Sequence, residues 1–320
     1  MVSVLIPNFN HAAFLQQRID SVLSQTYDNI EFILLDDAST DESRSIMEQY
    51  RTHPRLGHIV YNEQNTGSPF KQWAKGLELA KGKYIWIAES DDFASPFFLE
   101  SLVSRLQEDE KNVLAFCGSE MIDAIGDPLT MNWDKYGRQE GELREYTGKD
   151  FIRRRMKWKN SVYNASAVVF RRDALTAPTV PIALSPIDNI QAFRYCGDWL
   201  FWVNICIQGN VVEVCKQMNY FRQHDNKVSP NAERQGLYFT EGVQVMRHIA
   251  DILQLNGYAQ SIVAARTYKR LRAAKNLSPE TRATMKDNIG QMSPLPKWLL
   301  PISPVFYACD KLIKRLFRYE

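Results

Sequence analysis

The chain has 320 residues, 45% of them hydrophobic and 24% charged, with a formal net charge of +2, which permits a sizeable core in one large or two modest domains. So small a charge gives no footing for nucleic acid as the partner. The five cysteines (Cys117, Cys196, Cys206, Cys215 and Cys309) contain no C-x-x-C pair, so neither a disulfide framework nor a zinc knuckle is indicated.

The first residues, Met1-Val2-Ser3-Val4-Leu5-Ile6, are strand-like at once and lack the charged and apolar regions of a signal peptide. No run approaches the roughly 18 apolar residues of a membrane span. A cytoplasmic protein is expected. Short apolar runs then recur at Val2–Ile6, Ile30–Leu35, His58–Tyr61, Tyr84–Ile87 and Val113–Cys117, separated by amphipathic stretches. This βαβ series predicts a mostly parallel sheet. Helix starts are predicted at a capping box, Ser39-x-x-Glu42, and at Ser68-Pro69 and Ser95-Pro96. Leu15, Ile19 and Val22, and Leu99, Leu102, Val103 and Leu106, have the spacing of core-facing helix positions. From about 120 to 230 the pattern loosens, with a polar connection around Gly137–Gly148, a strand at Ser166–Phe170 and a helix beginning near Asp198. Beyond Asn231 the periodicity is helical, through Arg247–Leu255 and Ser261–Ala274, until Pro294, Pro296, Pro301 and Pro304 interrupt the tail. The expected division is residues 1–230, with halves 1–118 and 119–230, and a helical region 231–320.

In an open parallel sheet, ligands bind outside the carboxyl ends of the strands. Those ends are polar here: Pro7-Asn8-Phe9-Asn10, Asp36-Asp37-Ala38-Ser39, Asn62-Glu63-Gln64-Asn65-Thr66-Gly67 and Glu89-Ser90-Asp91-Asp92. Carboxylates crowded on one rim repel unless a cation, a donor or a raised pKa offsets them. A hard divalent ion, Mn2+ or Mg2+, is the natural occupant, with Asp91 and Asp92 as the first candidates. Turn or helix-cap chemistry is the alternative reading of each acidic pair taken alone, and their joint appearance at successive strand ends weighs against it. Neither G-x-G-x-x-G nor G-x-x-x-x-G-K-[ST] occurs, so dehydrogenase and P-loop readings lose their support.

These residues resemble glycosyltransferase family 2, a group with the GT-A fold. The likeness covers Val2 to Glu110: Val4-Leu5-Ile6-Pro7-Asn8-Phe9-Asn10, Ser21-Val22-Leu23-Ser24-Gln25-Thr26-Tyr27, Glu31 to Asp41, Asn65-Thr66-Gly67, Ala80-Lys81-Gly82-Lys83-Tyr84-Ile85 and Glu89-Ser90-Asp91-Asp92, in that order. The resemblance implies an α/β, Rossmann-like sheet flanked by helices, with a helical C-terminal extension. It implies an inverting transferase that uses a nucleotide-sugar donor, expected to be a UDP-sugar, and a glycan or lipid-linked acceptor in bacterial surface polysaccharide synthesis. By position, Pro7 and Phe9 would line the nucleobase pocket, Asn10 would belong to the nucleotide site, Asp37 would accept the base N3–H, Asp91 would lie near the ribose and Asp92 would ligate the metal. Where many members carry a basic residue after the glycine equivalent to Gly67, this chain has Ser68-Pro69-Phe70-Lys71-Gln72-Trp73, with one residue extra, and Lys71 is the substitute for base or phosphate.

Inverting transfer needs a base for the acceptor hydroxyl. Asp198, in Gly197-Asp198-Trp199-Leu200-Phe201-Trp202, resembles the family's acidic motif, although Gly197 stands where two consecutive acids are usual. The loop Tyr220 to Ser229 resembles one that brings a histidine, here His224, to the metal. Basic stretches occur at Arg153-Arg154-Arg155 with Lys157 and Lys159, and at Arg266, Lys269, Arg270, Arg272 and Lys275. With Trp298-Leu299-Leu300, Phe306-Tyr307 and the Lys311 to Arg318 segment, the tail reads as an amphipathic helix suited to an anionic membrane surface, on the cytoplasmic face of the inner membrane. Two rivals remain open: a sugar-1-phosphate nucleotidylyltransferase, disfavoured by Pro7-Asn8-Phe9-Asn10, and a non-catalytic sugar-nucleotide or glycan-binding module.

Overall fold

The structure, a computed structural model, describes residues 1–130, 136–176, 190–224, 236–274 and 277–292. The chain divides into two compact units, Met1–Phe151 with Val162–Asn226, and Ile152–Ser161 with Lys227–Glu320.

The first unit is built on strands β1 (Val2–Asn8), β2 (Ile30–Asp36), β3 (Leu56–Tyr61) and β4 (Tyr84–Ile87), which pair in parallel in the order β3-β2-β1-β4. β1 and β2 are buried along their whole length, as near-continuous Val/Ile/Leu runs must be when both faces of a sheet are covered. The buried Ser3 hydroxyl donates to Glu31 Oε1 at 2.5 Å and accepts Gly82 N–H at 2.7 Å. A Cβ on residue 82 would lie 2.5 Å from Ser3 N, so only glycine allows this approach.

Beyond β4 the expected parallel character gives way to a mixed sheet. The order continues through β8 (Val168–Arg171), β6 (Asn112–Ile122), β9 (Asn210–Arg222) and β5 (Phe93–Ala94), with β7 (Leu143–Thr147) also paired to β9. β8 is antiparallel to β4 and β6, while β6 and β9 run parallel with two bulged stretches. β9 was not expected from the sequence. Its alternation is broken by Glu213, which is buried and paired to Arg144 of β7 at 3.3 Å.

Helices α1 (Ala12–Leu23), α2 (Ser43–Glu48), α3 (Pro69–Leu79) and α4 (Phe98–Glu108) flank this sheet. The predicted core positions of α1 and α4 are fully buried. None of the three predicted serines caps its helix with its side chain. Ser39 does not cap α2, which begins at Ser43 with Asp41 accepting its N–H; Ser39 Oγ instead accepts Asn10 N–H at 2.9 Å. At α4 the cap comes from Gln25, whose Oε1 accepts Leu99 N–H at 2.9 Å while its amide donates to Ser95 O and Ser21 O. Ser68 does precede Pro69 at the start of α3, but its hydroxyl donates to Phe193 O. Two further helices, α5 (Gly148–Phe151) and α6 (Gly197–Cys206), complete the described helices of the unit, with short 3-10 turns between them.

The second unit contains α7 (Leu237–Ile252), α8 (Gly257–Ala273) and α9 (Pro279–Gly290), packed on one another. α7 starts ten residues before its predicted position, because Tyr238, Phe239 and Val243 extend its buried face. Asn256 and Ser278 cap α8 and α9 through Ala259 N and Thr281 N. Arg266 lies 4.1 Å over the Trp158 ring and Tyr238 Oη donates to Trp158 O at 2.6 Å, so the basic stretches of 153–159 and α8 meet here. Lys275 and the tail from 293 lie outside the described residues. No helix among the described residues is long and apolar enough to cross a membrane. The four described cysteines are buried and form no disulfide.

Candidate functional site

The carboxyl ends of β1, β2 and β4 converge on two acidic turns with different surroundings. At the end of β2, Asp36 is fully buried and accepts Arg44 Nε at 2.8 Å and Ser39 N–H at 3.1 Å. Asp37 accepts Asn62 Nδ2 and Gln72 Nε2, each at 2.8 Å, together with Thr66 N–H at 3.0 Å and Thr66 Oγ1–H at 2.9 Å. A carboxylate offers about four acceptor sites, and these donors take them. Asn10 ties this turn to β1: it sits in the left-handed region at φ 54°, and its Oδ1 accepts Thr40 N–H at 2.8 Å. Pro7 is buried within β1, whereas Phe9 is 43% exposed, an apolar edge that a flat base can cover. Lys71 is exposed on α3, with Nζ 3.3 Å from Thr66 O.

The turn after β4 gathers three acids. Glu89, Asp91 and Asp92 crowd together, and Asp92 N–H closes the turn on Glu89 O at 3.2 Å. Burial, reinforced by Asp91, pushes the Glu89 carboxyl up to about 8; it accepts Trp73 Nε1–H at 2.9 Å. Burial and Asp91 likewise raise Asp92, against the opposing pull of Arg18. Arg18 is fully buried, donates from Nε to Glu89 O at 2.8 Å and is itself lowered to about 10, chiefly by burial.

The two neighbouring aspartates are turned different ways. Asp92 is 2% exposed, and its oxygens accept Asn164 Nδ2 at 2.8 Å and Arg222 N–H at 3.0 Å. Asp91 Oδ2 lies 3.0 Å from His224 Nε2. His11 completes a group in which one ligand atom from each of His11, Asp91 and His224 lies within 4.8 Å of the others, the one such group of three among the described residues. Ligands held about 2.1 Å from one ion lie roughly 3 to 4 Å apart, so this set closes on a divalent cation with small movements. Asp92, the expected metal ligand, thus has both oxygens hydrogen-bonded inward, whereas Asp91 faces His224. Arg222 braces the arrangement, donating to Asp91 O at 2.9 Å and Gln17 Oε1 at 2.6 Å, with its guanidinium 4.8 Å from the Phe14 ring centre.

Asp198 lies in the first turn of α6, one residue past the first helical position, with Oδ1 accepting Trp199 N–H at 2.7 Å. The positive helix end favours its ionised form. It is not the cap; Cys196 holds that position. The glycine before it has a physical reason. A Cβ on residue 197 would lie 2.6 Å from the Phe70 ring, so the unusual α3 start and the missing second acid are parts of one packing arrangement.

Sequence reasoning stopped at Asn10 and missed His11, one residue further along the same rim. It also missed Asn164, Arg18 and Arg222, whose roles depend on strands distant in the chain. Trp73 is both buried and a donor to Glu89.

A family-wide sequence model described as Glycosyl transferase family 2 matches residues 3–177. GlyG, a glycosyltransferase of Streptococcus pneumoniae serotype 4, is 32% identical over 152 residues, covering 47% of this chain and 45% of that protein. TuaG of Bacillus subtilis, whose name assigns it to teichuronic acid biosynthesis, is 33% identical over 129 residues, 40% of this chain and 50% of that protein. The matched part thus spans about half the length of these relatives. The crystal structure of Staphylococcus aureus TarS 1-349 superposes with a TM-score of 0.65 at 19% identity, covering 92% of this chain and 81% of that one, and the same protein has been solved with UDP-GlcNAc. That likeness establishes the GT-A type of fold, and with a family match spanning more than half of its residues, the chain belongs to glycosyl transferase family 2.

Proposed function

We propose that this protein transfers a sugar from a nucleoside diphosphate sugar, with UDP as the nucleotide, to a glycan or lipid-linked glycan acceptor, with inversion at the anomeric carbon. The observation that carries this reading is the acidic turn after β4, whose Asp91 faces two imidazoles: a site that a divalent cation and a diphosphate complete together. The solved complexes of TarS with UDP and UDP-GlcNAc support the choice of nucleotide, and the naming of TuaG supports surface polysaccharide as the setting.

In this reading Phe9 and Pro7 border the base, Asn10 and Asp37 fix the turn that frames it, and Lys71 approaches the base or phosphates. Asp91 and His224 hold the cation, Mn2+ or Mg2+. When bound, the cation neutralises charge developing on the leaving diphosphate. Asp92, through Asn164 and Arg222, locks the backbone that carries Asp91. Asp198 takes the proton of the acceptor hydroxyl as its oxygen bonds to the anomeric carbon and the bond to the diphosphate breaks on the opposite face. The acceptor half of the chain and a tail seated on an anionic membrane surface complete the proposal.

The test is incubation with UDP-, dTDP- and GDP-sugars, with and without Mn2+, in the presence of glycan and lipid-linked acceptors, following nucleoside diphosphate release. Metal-dependent release from a UDP-sugar is expected. Nucleotide binding with no turnover across the panel would point to a binding module instead.

A further inference from the structure

Among the features of this site, His11 has no place in the proposed chemistry, yet its surroundings are those of a metal ligand. Its backbone is fixed at the start of α1, where its carbonyl accepts Phe14 N–H and Leu15 N–H at 2.9 Å each. Its Nδ1 lies 2.9 Å from Ser90 Oγ, and Ser90 is 1% exposed and adjacent to Asp91. Holding one ring nitrogen through an outer partner is how proteins set the tautomer and aim of a ligating imidazole. The His11 ring meets His224 edge-on, with centroids 5.3 Å apart, and both offer nitrogens within 4.8 Å of an Asp91 oxygen.

We infer that His11 is a third protein ligand, so that His11, Asp91 and His224 form a site able to bind a transition-metal cation before any nucleotide arrives. The inference rests on the metal-dependent reading above and goes beyond it in ligand, order and metal choice. Each ligand-bearing segment is anchored by the protein's own bonds: His11 by α1 and Ser90, Asp91 by the turn that Asp92 and Asn164 secure, and His224 by the Arg222 bonds two residues earlier. A site that draws its cation mainly from nucleotide phosphates needs one or two carboxylates, and Mg2+ suits it. Two imidazoles and one carboxylate instead favour Mn2+, and Co2+ or Zn2+ more strongly, because imidazole binds these ions well and Mg2+ poorly.

The experiment is Mn2+ titration of the full-length, nucleotide-free protein, read by the loss of the free-ion electron paramagnetic resonance signal. Electron spin-echo modulation on the bound ion then counts coupled imidazole nitrogens. The expected result is one Mn2+ per chain, two coupled imidazoles and retention against a large excess of Mg2+. Loss of an outer-shell partner alone weakens metal sites by about 10- to 100-fold, so His11→Gln should cost at least about ten-fold in Mn2+ affinity and reduce the count to one. If the wild type shows a single imidazole, or binds Mn2+ only when UDP is added, the inference is overturned while the transferase reading stands. Failure to bind UDP with any metal would defeat both. The imidazole count on the wild type decides the matter even if the His11→Gln protein does not fold.

Discussion

Two acidic pairs end neighbouring stretches of the same sheet, Asp36-Asp37 after β2 and Asp91-Asp92 after β4, and they differ in what surrounds them rather than in composition. The first is saturated: Arg44, Ser39, Asn62, Thr66 and Gln72 supply donors to its oxygens. The second faces Glu89 as well, and burial with mutual repulsion raises the affinity of that turn for protons. A carboxylate ringed by donors is a structural tie, whereas acids crowded together repel one another, and a cation relieves that repulsion.

The largest contrast should come from neutralising one acid in each pair. Asp91→Asn is expected to lower sugar transfer by about 100- to 1,000-fold or more and to leave the thermal midpoint near wild type, since it removes a charge that the turn already accommodates poorly. Asp37→Asn should do the reverse. An amide presents one acceptor oxygen and a donor face to groups that donate, which costs about 1 to 3 kcal/mol for each donor left unpaired, readable by urea unfolding. Equal loss of activity and stability in both variants would break the comparison. Asp198→Asn tests a third acid, outside both turns: nucleotide affinity should persist while turnover falls by about 100- to 10,000-fold, the usual range for a general base.

Smaller in size, but specific to the second turn, is a pH effect. Glu89 is raised from 4.5 to about 8, so the metal-free folded chain binds this proton more tightly than the unfolded chain does. Its contribution to stability is fully present below pH about 4.5 and is lost as pH rises through about 8. Melting temperature in a chelator should therefore fall across that window, and Glu89→Gln should flatten the slope. An unchanged slope in the variant would show that Glu89 is not the group responsible.

The comparison also shows how far the sequence could be read. The four parallel strands, the buried stripes of α1 and α4 and the acidic strand ends were visible, because periodicity and strand-end position are local properties. Which aspartate of Asp91-Asp92 points outward was not visible, since it is decided by Asn164 and Arg222, which follow Asp92 by 72 and 130 positions. The caps show the same division. Ser39-x-x-Glu42 has the local pattern of a capping box, but Ser39 is taken by Asn10 across the sheet, and the N-terminus of α4 is capped by Gln25 from the end of α1. β9 was obscured by Glu213, an acid inside a strand, intelligible only once Arg144 of β7 lies against it.

The packing of Phe70 against Gly197 bears on how this sequence can change. With a residue-197 Cβ only 2.6 Å from the ring, Gly197→Asp alone meets a filled space, where overpacking costs about 1 to 3 kcal/mol. Phe70→Ala alone opens a void beneath α3. The two positions are therefore epistatic: the combined variant should be more stable than the sum of its single costs implies. A second carboxylate beside Asp198 is open to this chain only by a route that reshapes the start of α3 first.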